Sequence, residues 1–322
     1  MNLPSEFINN IEGVFGKKGK RFLVNLPDLI DEASQKWGLT DVQASSTLSY
    51  NFVAFARRRE EEVVLKMSVP NRELKSEMTA LRLFNGEGAC RLLERDVKKY
   101  WMLLERLRPG LMLATLEDDE EATHIAAEVM QKIWRPLETM ESASSLANTQ
   151  QQHPTQKRAS GLQSFILLSD WFDGLKKLRP HFKGGTGPFN EKLLQRVESS
   201  VRDFFIENHK PVLMHGDFHH FNILSSERGW LIIDPKGVIG PACYEVGPLL
   251  INPWGDLFGK DYRSMTRRRI DILHERLGFE HERIREWGLA HAILSAWWSI
   301  EDHTDWKYAL ACAEMIADLD LK

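Results

Sequence analysis

Apolar positions change rhythm several times along the chain. Phe7, Ile8, Ile11, Val14 and Phe15 recur at helical spacing, and residues 29–37 form a second amphipathic piece after Pro27. Residues 42–48, 50–57 and 62–67 are short runs rich in β-branched or aromatic side chains, which predicts strands. Residues 71–84 return to helical spacing, with Leu74, Met78 and Leu81 on one face. Two more strands are predicted over 89–95 and 99–106, closed by Pro109-Gly110. Beyond residue 110 the helical period dominates. It predicts helices over 118–137, 163–179, 191–208, 262–277, 282–300 and 306–319, and an exposed loop over 142–161. That run is broken between Pro211 and Pro235, where two apolar strands, 212–214 and 230–233, flank a polar, histidine-rich segment.

This order implies an α+β chain of two lobes. Residues 1–106 form a small, mostly antiparallel β-rich lobe with leading helices and one helix on its sheet. Residues 107–322 form a larger helical lobe with one embedded hairpin.

Composition narrows the functional classes. The 322 residues are 43% hydrophobic and 27% charged with a net charge of −4, the profile of an ordinary globular protein. Such a balance gives no broad attraction to nucleic acid or anionic lipid. Cys90, Cys243 and Cys312 lack metal-ligand spacing and read as reduced thiols. The opening residues show no basic segment followed by an apolar run, and no stretch reaches the ~18 apolar residues of a membrane span. A cytoplasmic protein is expected.

The densest chemistry lies in VLMHGDFHHFNIL, residues 212–224, and WLIIDPKG, residues 230–237. A strand delivers His215-Gly216-Asp217 into a loop, and Asn222 follows five residues later. A hairpin then returns the chain to Asp234, so Asp217, Asn222 and Asp234 converge. Magnesium prefers hard oxygen ligands, and Asn222 and Asp234 offer two, with phosphates and water supplying the rest. Asp217, kept off the metal, suits a base that orients and deprotonates a nucleophile. The inventory fits phosphoryl transfer.

These residues carry a family resemblance. His215-x-Asp217, Asn222 and Asp234 resemble the catalytic and metal-binding loops of protein kinases and aminoglycoside phosphotransferases. HGDFHHFNIL looks like the aminoglycoside-phosphotransferase version. IDPKGVIGPACYEVGPLL is closer to its streptomycin 6-kinase and hydroxyurea phosphotransferase branch. The resemblance spans roughly residues 40–300. It implies a two-lobed protein-kinase-like fold, ATP with Mg2+, and a small acceptor that is neither nucleic acid nor membrane. Lys66, ending a predicted strand, would contact the nucleotide phosphates and pair with Glu77, chosen over Glu73 because it lies nearer the packed helix face. Residues 100–110 are similar to the interlobe hinge, with adenine contacts assigned to the backbone of Glu105 through Leu107. Residues 45–51 lack the glycine-rich flap of protein kinases. Asp-Pro-Lys-Gly stands in place of Asp-Phe-Gly, and Glu245 where the family commonly has aspartate.

Other residues admit more than one reading. His215, His219 and His220 with Asp217 have close enough spacing for a metal site, but no second His/Cys cluster complements them. Lys236 either touches phosphate or points to solvent. His291, on an apolar helical stripe, reads as a satisfied core histidine. Glu301, Asp302 and Asp305 are candidates for binding a cationic acceptor. An acceptor of the choline, homoserine or fructosamine type would use the same loops, and so would a nucleotide-binding regulator without turnover.

Overall fold

The computed structural model describes residues 3–137, 164–207, 210–253 and 261–321. The loop expected over 142–161 lies outside them. Helix α1 (Ser5–Trp37) precedes strands β1 (Leu39–Ala44), β2 (Phe52–Arg58) and β3 (Glu61–Met67), then helix α2 (Arg72–Phe84) and strands β4 (Leu92–Asp96) and β5 (Trp101–Glu105). The five strands form one antiparallel sheet in the order β1-β2-β3-β5-β4.

Strand alternation sorts this lobe into two cores. Val63, Leu65 and Met67 of β3, with Trp101 and Leu103 of β5, pack against Phe7, Ile11, Leu26 and Ile30 of α1. Met102 and Leu104 face the other way, toward Leu74, Met78 and Leu81 of α2, in an apolar cluster continuous with the helical lobe. Lys66 lies between Leu65 and Met67 and opposite Met102. Its position in the alternation therefore puts it on the α2 face.

Strand β6 (Pro109–Met112) crosses to the second lobe and pairs with the hairpin of β10 (Ile223–Ser226) and β11 (Gly229–Ile232). Helix α3 (Asp119–Ile133) follows, capped by Asp118, whose carboxylate accepts from the N–H groups of Glu120 and Glu121. Strands β7 (Arg135–Pro136), β8 (Ile166–Leu167), β9 (Val212–Met214) and β12 (Val238–Gly240) make a small sheet beneath the hairpin in the order β7-β9-β12-β8. Helices α4 (Leu168–Asp173), α5 (Leu178–His181), α6 (Glu191–Ile206), α7 (Val246–Leu250), α8 (Tyr262–Leu277), α9 (His281–Glu301) and α10 (Lys307–Ala317) complete the lobe. Trp287, Leu289, Ile293 and Leu294 bury α9 at its centre. Among the described residues, no helix is long and apolar enough to cross a membrane.

Three expectations need correction. The break expected at Pro27 falls at Gly16, and Pro27 sits exposed within α1. The helix expected over 163–179 is divided, because Ile166 and Leu167 pair in parallel with Val238 and Ile239, and the helical turns that follow are short. The first predicted strand starts earlier, at Leu39, directly after the left-handed cap at Gly38.

Candidate active site

The loop between β9 and β10 is pinned from both sides. His215 is fully buried, and its Nε2 lies 2.9 Å from the Ile233 carbonyl while its Nδ1 accepts from the Asp217 N–H at 3.1 Å. Those partners assign the proton to Nε2. Burial pushes this imidazole down to about 4, so it is neutral at physiological pH. From below, the Glu245 carboxylate accepts from the N–H groups of His215 and Gly216, each at 2.8 Å. Glu245 therefore serves as a brace, and burial pushes it up to about 8.

The hairpin brings Asn222 against the segment before Asp234. The Asn222 backbone carbonyl accepts from the Ile233 N–H at 2.9 Å, and its side-chain Nδ2 donates to the Asp217 backbone carbonyl at 3.0 Å. Asp234 adopts a left-handed backbone, φ 55°, which aspartate tolerates better than most residues. Its side chain is 41% exposed.

Lys66 joins the two lobes here. Its ammonium lies 2.6 Å from Glu77 Oε1 and 3.1 Å from Asp234 Oδ1, and only 2% of the residue is exposed. Burial alone would drive the ammonium toward neutrality, but Asp234 and Glu77 outweigh it and the net direction is up. Asp234 is held below its ordinary value because Lys66 overcomes the effect of burial. Glu77, more deeply buried and repelled by Asp234, is pushed up to about 7.

These groups border one cavity of about 680 Å³, lined by Lys66, Glu77, Asp217, His219, Asp234 and Lys236 among others. Asp217 Oδ1 lies 3.6 Å from His219 Nε2. Burial would raise the Asp217 carboxyl, yet the nearby His219 and Lys236 hold it below the usual range, so it is ionised. Lys236 faces this cavity with Glu73 at 3.7 Å. The His215/His219/His220 metal reading loses its first ligand, since both His215 nitrogens have partners. Among the described residues no group of three or more His, Cys, Asp and Glu is arranged around a metal.

The remaining candidates separate. Asp302 lines the cavity, while Glu301 and Asp305 do not. Glu301 faces Lys177 at 3.2 Å, and Asp305 accepts from the Lys307 N–H at the start of α10. Glu105 and Leu107 lie outside the cavity lining. The Glu105 carboxylate accepts from the Arg91 N–H at 2.9 Å and pairs with Arg228, while Leu107 is buried. His291 is buried against the Tyr244 hydroxyl at 3.0 Å, as a core histidine would be, but it also borders the cavity.

Several lining residues were not singled out from sequence: Val14, Phe15, Tyr50, Asn51, Asn252 and Ser295. Asn252 is placed by the buried Arg269, which donates to the carbonyls of Leu249 and Asn252 and pairs with Asp119. Nothing local in the sequence links position 252 to 269 and 119.

Comparisons with known proteins place the chain in a family and a fold. A family model described as aminoglycoside/hydroxyurea antibiotic resistance kinase matches residues 36–303. The chain is 30% identical over 305 residues to streptomycin 6-kinase of Streptomyces glaucescens, covering 94% of this chain and 92% of that protein. It is 28% identical over 307 residues to hydroxyurea phosphotransferase of Kitasatospora aureofaciens, covering 94% and 81%. In fold it is similar to a thermostable mutant of aminoglycoside phosphotransferase APH(4)-Ia in ternary complex with AMP-PNP and hygromycin B. The TM-score there is 0.60 at 14% identity, over 91% of this chain and 97% of that one. Choline kinase LicA from Streptococcus pneumoniae gives a TM-score of 0.59 at 12% identity, over 91% and 98%.

Proposed function

The chain belongs to the aminoglycoside/hydroxyurea antibiotic resistance kinase family, and on that premise we propose that it moves the γ-phosphoryl group of ATP to a hydroxyl of a small acceptor, cationic as streptomycin is or neutral as hydroxyurea is, with the cationic kind favoured by the acidic lining. One observation carries the reading: Lys66 is held between Glu77 and Asp234 at the edge of a cavity that also exposes Asp217.

In this reading Glu77 aims the Lys66 ammonium at the nucleotide phosphates, and the backbone from Glu105 to Leu107 receives the adenine. The acceptor hydroxyl donates to the Asp217 carboxylate. Its oxygen attacks the γ-phosphorus as the bond to the β,γ-bridging oxygen breaks, Asp217 takes the proton, and ADP leaves. Asp234 and Asn222 would hold Mg2+: the Asp234 carboxylate opens to the cavity, and Asn222 commits its Nδ2 to Asp217, leaving its amide oxygen as donor. When bound, the ion neutralises charge on the phosphates. Asp302 is assigned the positive charge of a streptomycin-like acceptor, since Glu301 and Asp305 are turned to Lys177 and the α10 backbone.

The test is transfer of labelled phosphate from ATP to streptomycin, hydroxyurea and choline. Wild type is expected to phosphorylate streptomycin or hydroxyurea, and Asp217→Asn to lose ~10²–10⁴ of the rate while still binding AMP-PNP. Transfer to choline alone would make it a metabolic kinase. Transfer to none, with nucleotide binding intact, would make it a regulator.

A further inference from the structure

The first turns of the chain reach the cavity that the catalytic loop also lines. Val14 and Phe15 line it beside Tyr50 and Asn51. Helix α1 is interrupted at Gly16, whose φ of 53° and ψ of −127° lie outside the regions open to residues with a Cβ. This turn lays residues 5–15 back along the rest of the helix: a Cβ on Gly19 would stand 2.2 Å from the Ile11 carbonyl oxygen. Phe7 and Ile11 are fully buried in the core with Phe52 and Trp101. Asn10 donates to the Ser49 carbonyl at 3.4 Å. Phe15 is thus positioned by the sheet core on one side and by the 45–51 loop on the other.

Trp171 and Trp298 of the larger lobe line the same cavity, their rings edge to face with centroids 5.2 Å apart. Asp302 and Glu73 lie on the same lining. Burial pushes the Tyr50 hydroxyl up, and Asp302 and then Glu6 push it further. Asp302 of the lining and Glu6 of α1 thus both act on the Tyr50 phenol.

We propose that Phe15 and Tyr50 form the small-lobe wall of the acceptor site and select acceptors that carry a planar or cyclic cationic group, held against these rings with its charge facing Asp302 and Glu73. This rests on the acceptor reading above. Aromatic faces and carboxylates attract a cation by complementary means, the ring quadrupole and the full negative charge. Neither ring takes part in the ion-pair network of Lys66, Glu77 and Asp234. The segment before Gly16 then acts as a specificity element.

The three native cysteines are buried, so the thiol introduced by Val14→Cys is the accessible one. Its alkylation by iodoacetamide is expected to slow about ten-fold with AMP-PNP plus streptomycin and to remain unchanged with AMP-PNP alone, given streptomycin well above its Kd. Phe15→Ala is expected to raise the streptomycin KM about ten-fold with the ATP KM held within about two-fold, and Phe15→Tyr to restore it. Val24→Ala, on the exposed face of the same helix, serves as a control that changes neither. Transfer to streptomycin with no protection and an unchanged KM overturns the wall and leaves the acceptor reading standing. No protection by streptomycin, with no transfer to streptomycin or to hydroxyurea, overturns both.

Discussion

Ser76 donates its hydroxyl to the carbonyl of Gly237 at 2.7 Å, in a buried bond between the helix that carries Glu77 and the loop that carries Asp234. The two elements meet closely: a Cβ on Gly237 would stand 2.6 Å from Ser76 Oγ and 2.9 Å from the Ser76 carbonyl oxygen, and Gly237 has φ +66°. Gly237→Ala is therefore expected to push α2 off the loop and separate Glu77 from Asp234. Strain of this kind costs of order 1–3 kcal/mol. Urea denaturation should register that loss, and steady-state kinetics a fall in kcat of about ten-fold or more. Normal stability with normal kcat would show that α2 relaxes freely.

Lys66 neutralises two carboxylates at once, so removing it is expected to harm more than nucleotide contact. Lys66→Met leaves Glu77 buried without a cation, and breaking one partner of a buried pair typically costs ~3–5 kcal/mol. Protonation of Glu77, already raised to about 7, relieves part of this, so the loss should be smaller at pH 6 than at pH 8. Thermal unfolding at those two pH values measures the difference, and the ATP KM should rise in parallel.

The part of the site that was legible in the sequence is the part built from local runs. Asp217 and Asp234 lie within one strand-loop-hairpin unit, so their spacing implied that both reach one cavity, whereas Asn222, in the same unit, is bonded to the Asp217 and Ile233 backbones and is not part of that cavity's lining. Lys66 and Glu77 are a strand end and the next helix, related by alternation and period. Trp171 and Phe15 were illegible for the opposite reason, because their place in the cavity depends on the packing of helices distant in sequence. The Gly16 turn was hidden because periodicity on either side of a glycine reads the same whether the helix continues or folds back. Asp302 stood out only as one of three acids, and its neighbours turned away through contacts with Lys177 and Lys307 that no spacing rule supplies.

Stability should depend on pH through His291. Burial pushes this imidazole from 6.5 down to about 4. A histidine lowered in this way binds fewer protons folded than unfolded. Its contribution is therefore fully present above about 6.5 and is lost as pH falls through about 4. At 1.36 kcal/mol per unit the most it supplies is about 3 kcal/mol. Glu77 and Glu245, raised by burial, act with the opposite sign and weaken the fold as pH rises toward about 7 and about 8. Comparing wild type with His291→Gln isolates the histidine. The variant is expected to lose less stability between pH 7 and pH 4.5 in urea titrations, whereas parallel curves would assign the acid sensitivity elsewhere.

Glu105 and Arg228 tie the end of the sheet to the tip of the catalytic hairpin. Arg228 donates through Nε to Glu105 at 3.3 Å and through Nη1 to the Gly86 carbonyl at 2.6 Å, while Glu105 also receives the Arg91 N–H. Both side chains are partly shielded, 30% and 20% exposed, so the pair should exceed an open surface ion pair without approaching a buried one. A coupling energy of roughly 0.5–3 kcal/mol is expected from a double-mutant cycle of Arg228→Ala and Glu105→Gln. Because Glu105 opens the segment assigned to adenine, loosening it should raise the ATP KM. The acceptor KM should hold, since its proposed walls contain neither residue. An equal rise in both constants would mean that the hairpin, with Asn222 at its base, had moved as a whole.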